Sequence, residues 1–268
     1  MTRPPERLVL LGSPVGKSLS PVFQRAALEA AGIDVSYDAI DVAPTDLAAV
    51  IRDIRTSNTA GNVTRPHKTA FHDACDDLTW VARRVGAVNT FWLEDGRLNG
   101  DNTDVEGFAV SARALLGDVT DDLPIVLLGA GGAASAVLAA VERWPGASVA
   151  IVSRNPERAA RLAARYPDVA RVEKDAGRAA QGARLIVNAT PVGLEDDEHP
   201  LDVASVPSGA AAIDLVYRRG ETPWVKALRA RGNRAVDGMP MLLEQGAIAF
   251  RRWFGREPDR EAMRRSVL

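Results

Sequence analysis

Apolar positions fall into two patterns along the chain. Residues 7–12 (RLVLLG) and 125–128 (IVLL) are nearly unbroken apolar runs, as expected of strands buried on both faces of a parallel sheet. Residues 45–55 instead carry Leu47, Val50, Ile51 and Ile54 at three- and four-residue spacings, the mark of an amphipathic helix. With a helix over 20–31, Gly32 as its C-cap, and a strand over 36–41, the first 60 residues read β-α-β-α. A short strand ends at Asn62 and Val63, Pro66 stops it, and Lys68 opens a short helix. Residues 78–85 read as helix. Residues 91–94 and 97–99 flank Asp95-Gly96 as a hairpin, and 105–116 is helical.

The second half repeats the alternation. Strands are expected over 125–128, 148–153, 184–188, 211–215 and 234–236, with helices over 133–141, 156–165 and 222–231. A long helix follows over 241–254, and the tail from 257 to 268 reads as a short surface helix. The fold class is α/β throughout.

The junction after the strand at 125–128 carries the most specific chemistry. Gly129-Ala130-Gly131-Gly132-Ala133-Ala134 fits G-x-G-x-x-G/A, with Ala134 in the last place. A glycine turn between strand and helix N-terminus holds a dinucleotide pyrophosphate on free N–H groups and a positive dipole end. The ordinary alternative is a buried strand with a Gly-rich turn, but the flanks are those the motif requires. The next strand ends in Ser153-Arg154-Asn155, where an NAD site usually places an acid for the ribose 2′-hydroxyl. A guanidinium there suits a 2′-phosphate, so the cofactor reading is NADP(H).

Other polar residues gather at strand-to-helix junctions, where open α/β sheets bind ligands. Ser20-Pro21 reads as an N-cap followed by proline at the first helical position. Ser18 has no such structural role, and the two hydroxyls together could hold a carboxylate. Asn62, Thr64 and Lys68 lie at the end of one strand, and Lys68 could equally be a solvated lysine. Asp104 could be the N-cap of the helix that follows it. Gln245 lies within the apolar face of the last long helix and needs a hydrogen-bond partner there.

Composition removes several alternatives. A chain of 268 residues holds one large or two ordinary domains. A formal net charge of −2 gives no reason to expect nucleic acid or an anionic membrane as partner. Cys75 is the single cysteine, so no disulfide forms within the chain and no Cys-based zinc site is expected. His67, His72 and His199 are too scattered to suggest a metal centre. No stretch approaches the roughly 18 apolar residues of a membrane span, and the first residues lack the apolar core of a signal peptide. The expectation is a cytoplasmic protein.

Taken in order, the motifs resemble the shikimate dehydrogenase family over nearly the whole chain. The matching pieces are Gly12-Ser-Pro-Val with Ser18-Leu-Ser20-Pro, Asn62-Val-Thr-Arg-Pro-His-Lys68, Gly86-Ala-Val-Asn89-Thr and Asn102-Thr-Asp104-x-x-Gly107. They continue with the glycine turn, Asn188-Ala-Thr-x-x-Gly193, Asp214-x-x-Tyr217 and Met241-x-x-x-Gln245-Gly-Ala. The resemblance implies an N-terminal α/β substrate-binding domain (1–104 plus 239–268) and a Rossmann-type NADP-binding domain (105–238), with the site in the cleft between them. It implies that Ser18 and Ser20, with Tyr217, hold a substrate carboxylate. Thr64, Asn89, Asp104 and Gln245 would hold ring hydroxyls, and Lys68 with Asp104 would be the catalytic pair. For the cofactor it implies Gly129, Ala130, Gly131, Gly132, Ala133, Ser153, Arg154, Asn155, Thr190, Gly238 and Met241.

The implied reaction is reversible reduction of 3-dehydroshikimate by NADPH. A quinate or aminoshikimate dehydrogenase on the same scaffold and a non-catalytic NADP-binding sensor are the alternatives. The chain departs from the family pattern in three places. Lys17 stands where His is most common, Ser135 where an Arg is common, and Ser153-Arg154-Asn155 where many members have Asn-Arg-Thr.

Cofactor choice supplies a test. Arg154→Asp is expected to lower kcat/KM with NADP far more than with NAD. Equal efficiency of the unmodified chain with both cofactors would overturn the reading of this strand end.

Overall fold

The computed structural model describes residues 4–117, 121–218 and 220–268. In chain order the first elements are β1 (Arg7–Gly12), α1 (Ser20–Ala30), β2 (Ser36–Asp41), α2 (Leu47–Thr56), β3 (Thr59–Val63), α3 (Lys68–Ala74), β4 (Asp77–Leu78), α4 (Trp80–Val85), β5 (Thr90–Glu94) and β6 (Arg97–Asp101). Then come α5 (Asp104–Leu116), β7 (Pro124–Leu128), α6 (Gly132–Val141), β8 (Ser148–Val152), α7 (Pro156–Arg165), β9 (Ala170–Glu173), α8 (Ala176–Ala180), β10 (Leu185–Asn188), β11 (Ala211–Asp214), α9 (Pro223–Ala230) and β12 (Ala235–Val236). The last helices are α10 (Met239–Phe254) and α11 (Arg260–Arg265). The chain divides into two compact units, Met1–Asp104 with Leu242–Leu268, and Val105–Met241.

The first unit is a six-stranded mixed sheet in the order β2-β1-β3-β5-β6-β4. β1 runs parallel to both β2 and β3, while β5 is antiparallel to β3 and to β6. The apolar run in β1 is explained by burial on both faces. Leu8 and Leu10 pack with Phe23, Tyr37, Phe250 and Trp253, under helices α1 and α10. Val9 and Leu11 pack on the opposite face with Ile51, Ile54, Phe71 and Phe91. The side-chain period of two separates the sets. The β5–β6 hairpin turns at Asp95 and Gly96, both with positive φ (51° and 75°), as a two-residue turn matching the strand twist requires.

The second unit is an all-parallel sheet in the order β12-β11-β10-β7-β8-β9. Renumbered from β7, this is the 3-2-1-4-5-6 arrangement of the doubly wound dinucleotide fold, with its switch point between β7 and β10. Val126, Leu128, Ile186 and Ala212 pack with Trp224, Val225 and Leu228 on one face.

Several boundaries differ from expectation. Helix α2 starts at Leu47, not at residue 45. Leu78 lies in β4, paired parallel with β6, and Thr79 caps α4 by accepting from the Ala82 N–H. The tail helix α11 is not a surface element only, since Met263 is fully buried in the cluster with Phe23 and Phe250. β9 and α8 were not anticipated, because β9 is a half-exposed edge strand without an apolar run. No helix of the described residues is long and apolar enough to cross a membrane.

Asp76, just before β4, anchors this end of the hairpin. It accepts from Arg55 and from the Leu98 N–H at 2.8 Å. The Arg55 hydrogen bond, then that from Leu98, holds its carboxyl at about 2, against an ordinary 3.8. A depressed carboxyl stabilises the fold above the unfolded value and loses that stabilisation as pH falls through the folded one. The pair is about one-third exposed, so its worth at pH 7 is about 1 kcal/mol or less. Asp76→Asn is expected to lower the melting temperature at pH 7, with the gap to wild type closing between pH 4 and pH 2. A gap that persists unchanged at pH 2 would show that the carboxylate is not responsible.

Candidate functional site

In the first unit, one end of the sheet collects the polar residues. β1 and β3 run parallel side by side, so the loops after Gly12 and Val63 leave together, and the Ser13 N–H donates to the Arg65 carbonyl at 2.9 Å. β5 runs the other way, so its start lies at this same end, where the Val63 N–H donates to the Asn89 carbonyl. β6 returns to it and delivers the turn 102–104.

Lys68 and Asp104 meet here. Lys68 Nζ donates to Asp104 Oδ2 at 2.6 Å, and Asn89 Nδ2 donates to Asp104 Oδ1 at 2.8 Å. Both carboxylate oxygens are thus fixed by side chains. This decides the choice left open by the sequence: the Asp104 carboxylate is committed to Lys68 and Asn89 and not to capping α5. The Lys68 side chain keeps about a quarter of its surface exposed, that of Asp104 about a tenth.

Asn89 is the hub. Its Nδ2 faces Thr103 Oγ1 at 2.9 Å, Asp104 Oδ1 at 2.8 Å and Gln245 Oε1 at 3.2 Å. An amide has two hydrogens for these three acceptors, so Gln245, the farthest, is the most loosely held. Asn89 Oδ1 accepts from the Thr103 N–H at 2.8 Å. Gln245 Nε2 donates to the Leu242 carbonyl at 2.8 Å, which supplies the partner its place in an apolar face demanded. Helix α10 reaches this position because residue 246 has no side chain. A Cβ there would lie 2.4 Å from the Phe23 ring, and Gln24 Nε2 donates to the Gly246 carbonyl at 2.9 Å.

Asn62 is a support for the site. It is 5% exposed, accepts from the Tyr37 hydroxyl at 2.7 Å and donates to the Asn89 carbonyl at 3.1 Å. Burial pushes the Tyr37 phenol well above its ordinary range, so it stays a neutral donor. Thr103 and Tyr37 were missed by sequence reasoning. Thr103 lies between two singled-out residues, but nothing in the sequence pairs Tyr37 with Asn62.

Neither serine is the N-cap of α1, a place taken by Leu19 without a side-chain hydrogen bond. Ser20 is the first residue of α1 and makes no side-chain cap, while Ser18 Oγ accepts from the Ser20 N–H at 3.3 Å. Among the described residues the Ser20 and Thr64 hydroxyls have no hydrogen-bond partner.

The second unit carries the nucleotide candidates. Gly129 has φ 109°, and a Cβ on it would lie 2.8 Å from the Ala189 carbonyl oxygen. Gly131 precedes α6 with no side-chain cap, and a Cβ on Gly132 would meet nothing within 4 Å. The backbone of 131–133 is therefore open, with first-turn N–H groups that the helix itself cannot satisfy; this fits a pyrophosphate. Ser153 Oγ accepts from the Asn155 N–H, and Asn155 Oδ1 caps α7 by accepting from the Arg158 N–H at 2.9 Å. Arg154 is exposed at the strand end.

Arg158, not anticipated, places Nη2 3.9 Å from where a Cβ on Gly131 would be. Its signal was available: it is a second arginine four residues after Arg154, in the first turn of α7, after a strand end without an acid. Ser135 is buried with its hydroxyl 3.4 Å from that of Tyr166. Thr190 donates to Asn188 Oδ1 at 2.6 Å, and Asn188 donates to Asp214 at 2.8 Å. Asp214 also accepts from Thr222, yet burial, the larger effect, raises its carboxyl above the ordinary range. Tyr217 follows β11, a Cβ on Gly238 would lie 2.4 Å from the Leu215 carbonyl oxygen, and Met241 lies in α10.

A dinucleotide fold and a paired lysine and carboxylate define the class as a pyridine-nucleotide oxidoreductase fold with a separate polar site. The family models for the shikimate dehydrogenase substrate binding domain and the shikimate 5'-dehydrogenase C-terminal domain match residues 10–91 and 238–268. A shikimate dehydrogenase (NADP(+)) from Methylocella silvestris is 41% identical over 94% of this chain and 91% of its own length. The crystal structure of shikimate dehydrogenase from Aquifex aeolicus superposes with a TM-score of 0.92 at 34% identity, covering 98% of this chain and 97% of that one. Shikimate 5-dehydrogenase from Thermus thermophilus, in complex with NADP(H) and shikimate, gives a TM-score of 0.88 at 39% identity, covering 97% of this chain and 98% of that one. The chain belongs to the shikimate dehydrogenase family.

The placement of the serines changes the expected stabilities. Ser18→Ala is expected to lower stability by about 0.5–1 kcal/mol through loss of the acceptor for the Ser20 N–H, and Ser20→Ala by less. Thermal melts of both variants check this, and a larger loss in Ser20→Ala would contradict the assignment.

Proposed function

We propose that this chain catalyses the reversible reduction of 3-dehydroshikimate to shikimate with NADPH. The observation that carries the reading is the Lys68–Asp104 pair at 2.6 Å, joined through Asn89 to Gln245. This group offers donors and acceptors side by side, as a ring bearing a carbonyl and neighbouring hydroxyls requires. Ser18 and Ser20, with Tyr217, would take the carboxylate. Thr64, Asn89, Asp104 and Gln245 would take the hydroxyls, and the loosely held Gln245 oxygen is the acceptor most free to turn to a ligand.

When bound, NADPH supplies the hydride to the ring carbonyl carbon. Negative charge then develops on the carbonyl oxygen. Lys68 has three N–H donors and spends one on Asp104, leaving two for that oxygen. Its ammonium stabilises the charge and supplies the proton that completes the alcohol. Asp104, fixed at both oxygens, holds the ammonium in place.

For the nucleotide, Gly129, Ala130, Gly131, Gly132 and Ala133 would hold the pyrophosphate. Ser153, Arg154 and Asn155, joined by Arg158, would hold the 2′-phosphate. Asn155 spends its carbonyl oxygen on the α7 cap, so its NH₂ group would face the phosphate. Thr190, Gly238 and Met241 would line the remainder. A cytoplasmic monomer or homodimer is the accompanying proposal.

The deciding experiment is NADPH formation with shikimate, and with quinate and aminoshikimate in parallel. Rapid turnover of shikimate is expected. Fast quinate oxidation with slow shikimate oxidation would transfer the assignment to the alternative substrate, and NADP binding without turnover would leave only a sensor. Lys68→Ala is expected to lower kcat by at least about 10²-fold while the Kd for NADP stays within about twofold. Retention of more than about half of the wild-type kcat would remove Lys68 from the chemistry.

A further inference from the structure

A second buried carboxylate lies beside the site and takes no part in the proposed chemistry. Asp101, the last residue of β6, has a side chain only 7% exposed. Its Oδ1 accepts from Thr79 Oγ1 at 2.5 Å and from the Asn102 N–H at 2.7 Å. Its Oδ2 accepts from Arg252 Nη2 at 2.6 Å. The Arg252 guanidinium also lies over the Trp92 ring, 5.3 Å from its centroid, an arrangement that holds a planar cation by stacking.

The place of this pair matters more than its existence. Arg252 follows Gln245 by two helical turns on α10, so both project from one face. Gln245 meets Asn89 and Thr103, while Arg252 meets Asp101. The helix therefore meets the segment 101–104 at two places, tightly at Asp101 through Arg252 and more loosely at Thr103 through Gln245. From Asp101 onward the turn is fixed locally as well. The Asp101 carbonyl accepts from the Asn89 N–H at 3.0 Å, Asn102 Nδ2 donates to the Ala87 carbonyl at 2.9 Å, and Asn102 Oδ1 accepts from the Asp104 N–H at 3.2 Å. A displacement of Asp101 is passed to Asp104 through this turn.

We infer that Asp101 and Arg252 are positioning residues, an ion pair that sets the turn carrying Asp104 against the helix carrying Gln245. The inference rests on the proposed shikimate site for its kinetic consequences, and on the geometry alone for its structural ones.

The kinetic test uses Arg252→Met, Arg252→Lys, Asp101→Asn and the double variant Asp101→Asn/Arg252→Met in the full chain. Misplacing the turn disturbs both hydroxyl binding and the catalytic pair. Arg252→Met is thus expected to raise the shikimate KM about tenfold and lower kcat about tenfold, with the NADP KM within about twofold. Arg252→Lys should recover most of the KM. Since the two residues act as a unit, the double variant should be no worse than the poorer single variant. A staple that only stabilised the fold would lower the active fraction, reducing kcat at unchanged KM, and that result overturns the inference.

Amide hydrogen exchange provides a second measurement that needs no substrate. In Arg252→Met the amides of Asn102, Thr103 and Asp104 should exchange at least about tenfold faster, while those of β7 and β10 stay unchanged. Unchanged exchange at 102–104 in the folded variant overturns the inference whichever substrate the wild type accepts. Absence of shikimate turnover by the wild type, with the exchange effect present, would instead count against the functional proposal alone.

Discussion

The carboxylate of Asp104 is held at both oxygens, by Lys68 on one side and Asn89 on the other, and the arrangement of the first unit follows from meeting that demand. A carboxylate this enclosed cannot be left to water, and its partners must arrive from separate elements. The mixed sheet brings them. Parallel β1 and β3 open their loops at one end, and antiparallel β5 and β6 begin and finish there. Had β5 run parallel to β3, Asn89 would lie at the opposite end of the sheet and Asp104 would lose its second donor.

Behind the site lies a supporting chain of hydrogen bonds. Tyr37 donates to Asn62, and Asn62 donates to the carbonyl of Asn89. In a low-dielectric interior such chains are costly to leave half-made and rigid when complete. α10 completes the arrangement from the other side, coming close enough only because residue 246 is glycine. The second unit obeys the same rule by a different route. Its strands are all parallel, so every loop at the carboxyl end starts on the same side. There Asn188, Thr190, Asp214 and Thr222 hold one another, while the backbone after Gly131 stays open.

Local sequence and tertiary context disagreed most where a short polar side chain had two possible uses. Ser20-Pro21 has the sequence of a helix cap, yet the hydroxyl that receives the helix N–H is that of Ser18. Asn155, placed among phosphate ligands by its position, caps α7 with its carbonyl oxygen. Such residues hydrogen-bond equally well to their own backbone or to something distant, and the choice depends on where the chain turns.

By itself the sequence determined the α/β class, most element positions and the glycine turn. These depend on local matters: the two-residue and 3.6-residue periods, the conformations open to glycine and proline, and charge at a strand end. Lys68 with Asp104 as a catalytic pair, and a division of the chain near Asp104 and Gly238, were expectations that came only through resemblance to a family. Tertiary structure alone decided the strand order, the burial of Met263, the pairing of Tyr37 with Asn62 and the meeting of Arg252 with Asp101. Those pairs are separated by 25 and 151 residues. No local preference connects positions so far apart. What joins them is the packing of helices on a sheet whose register is set by burial on both faces.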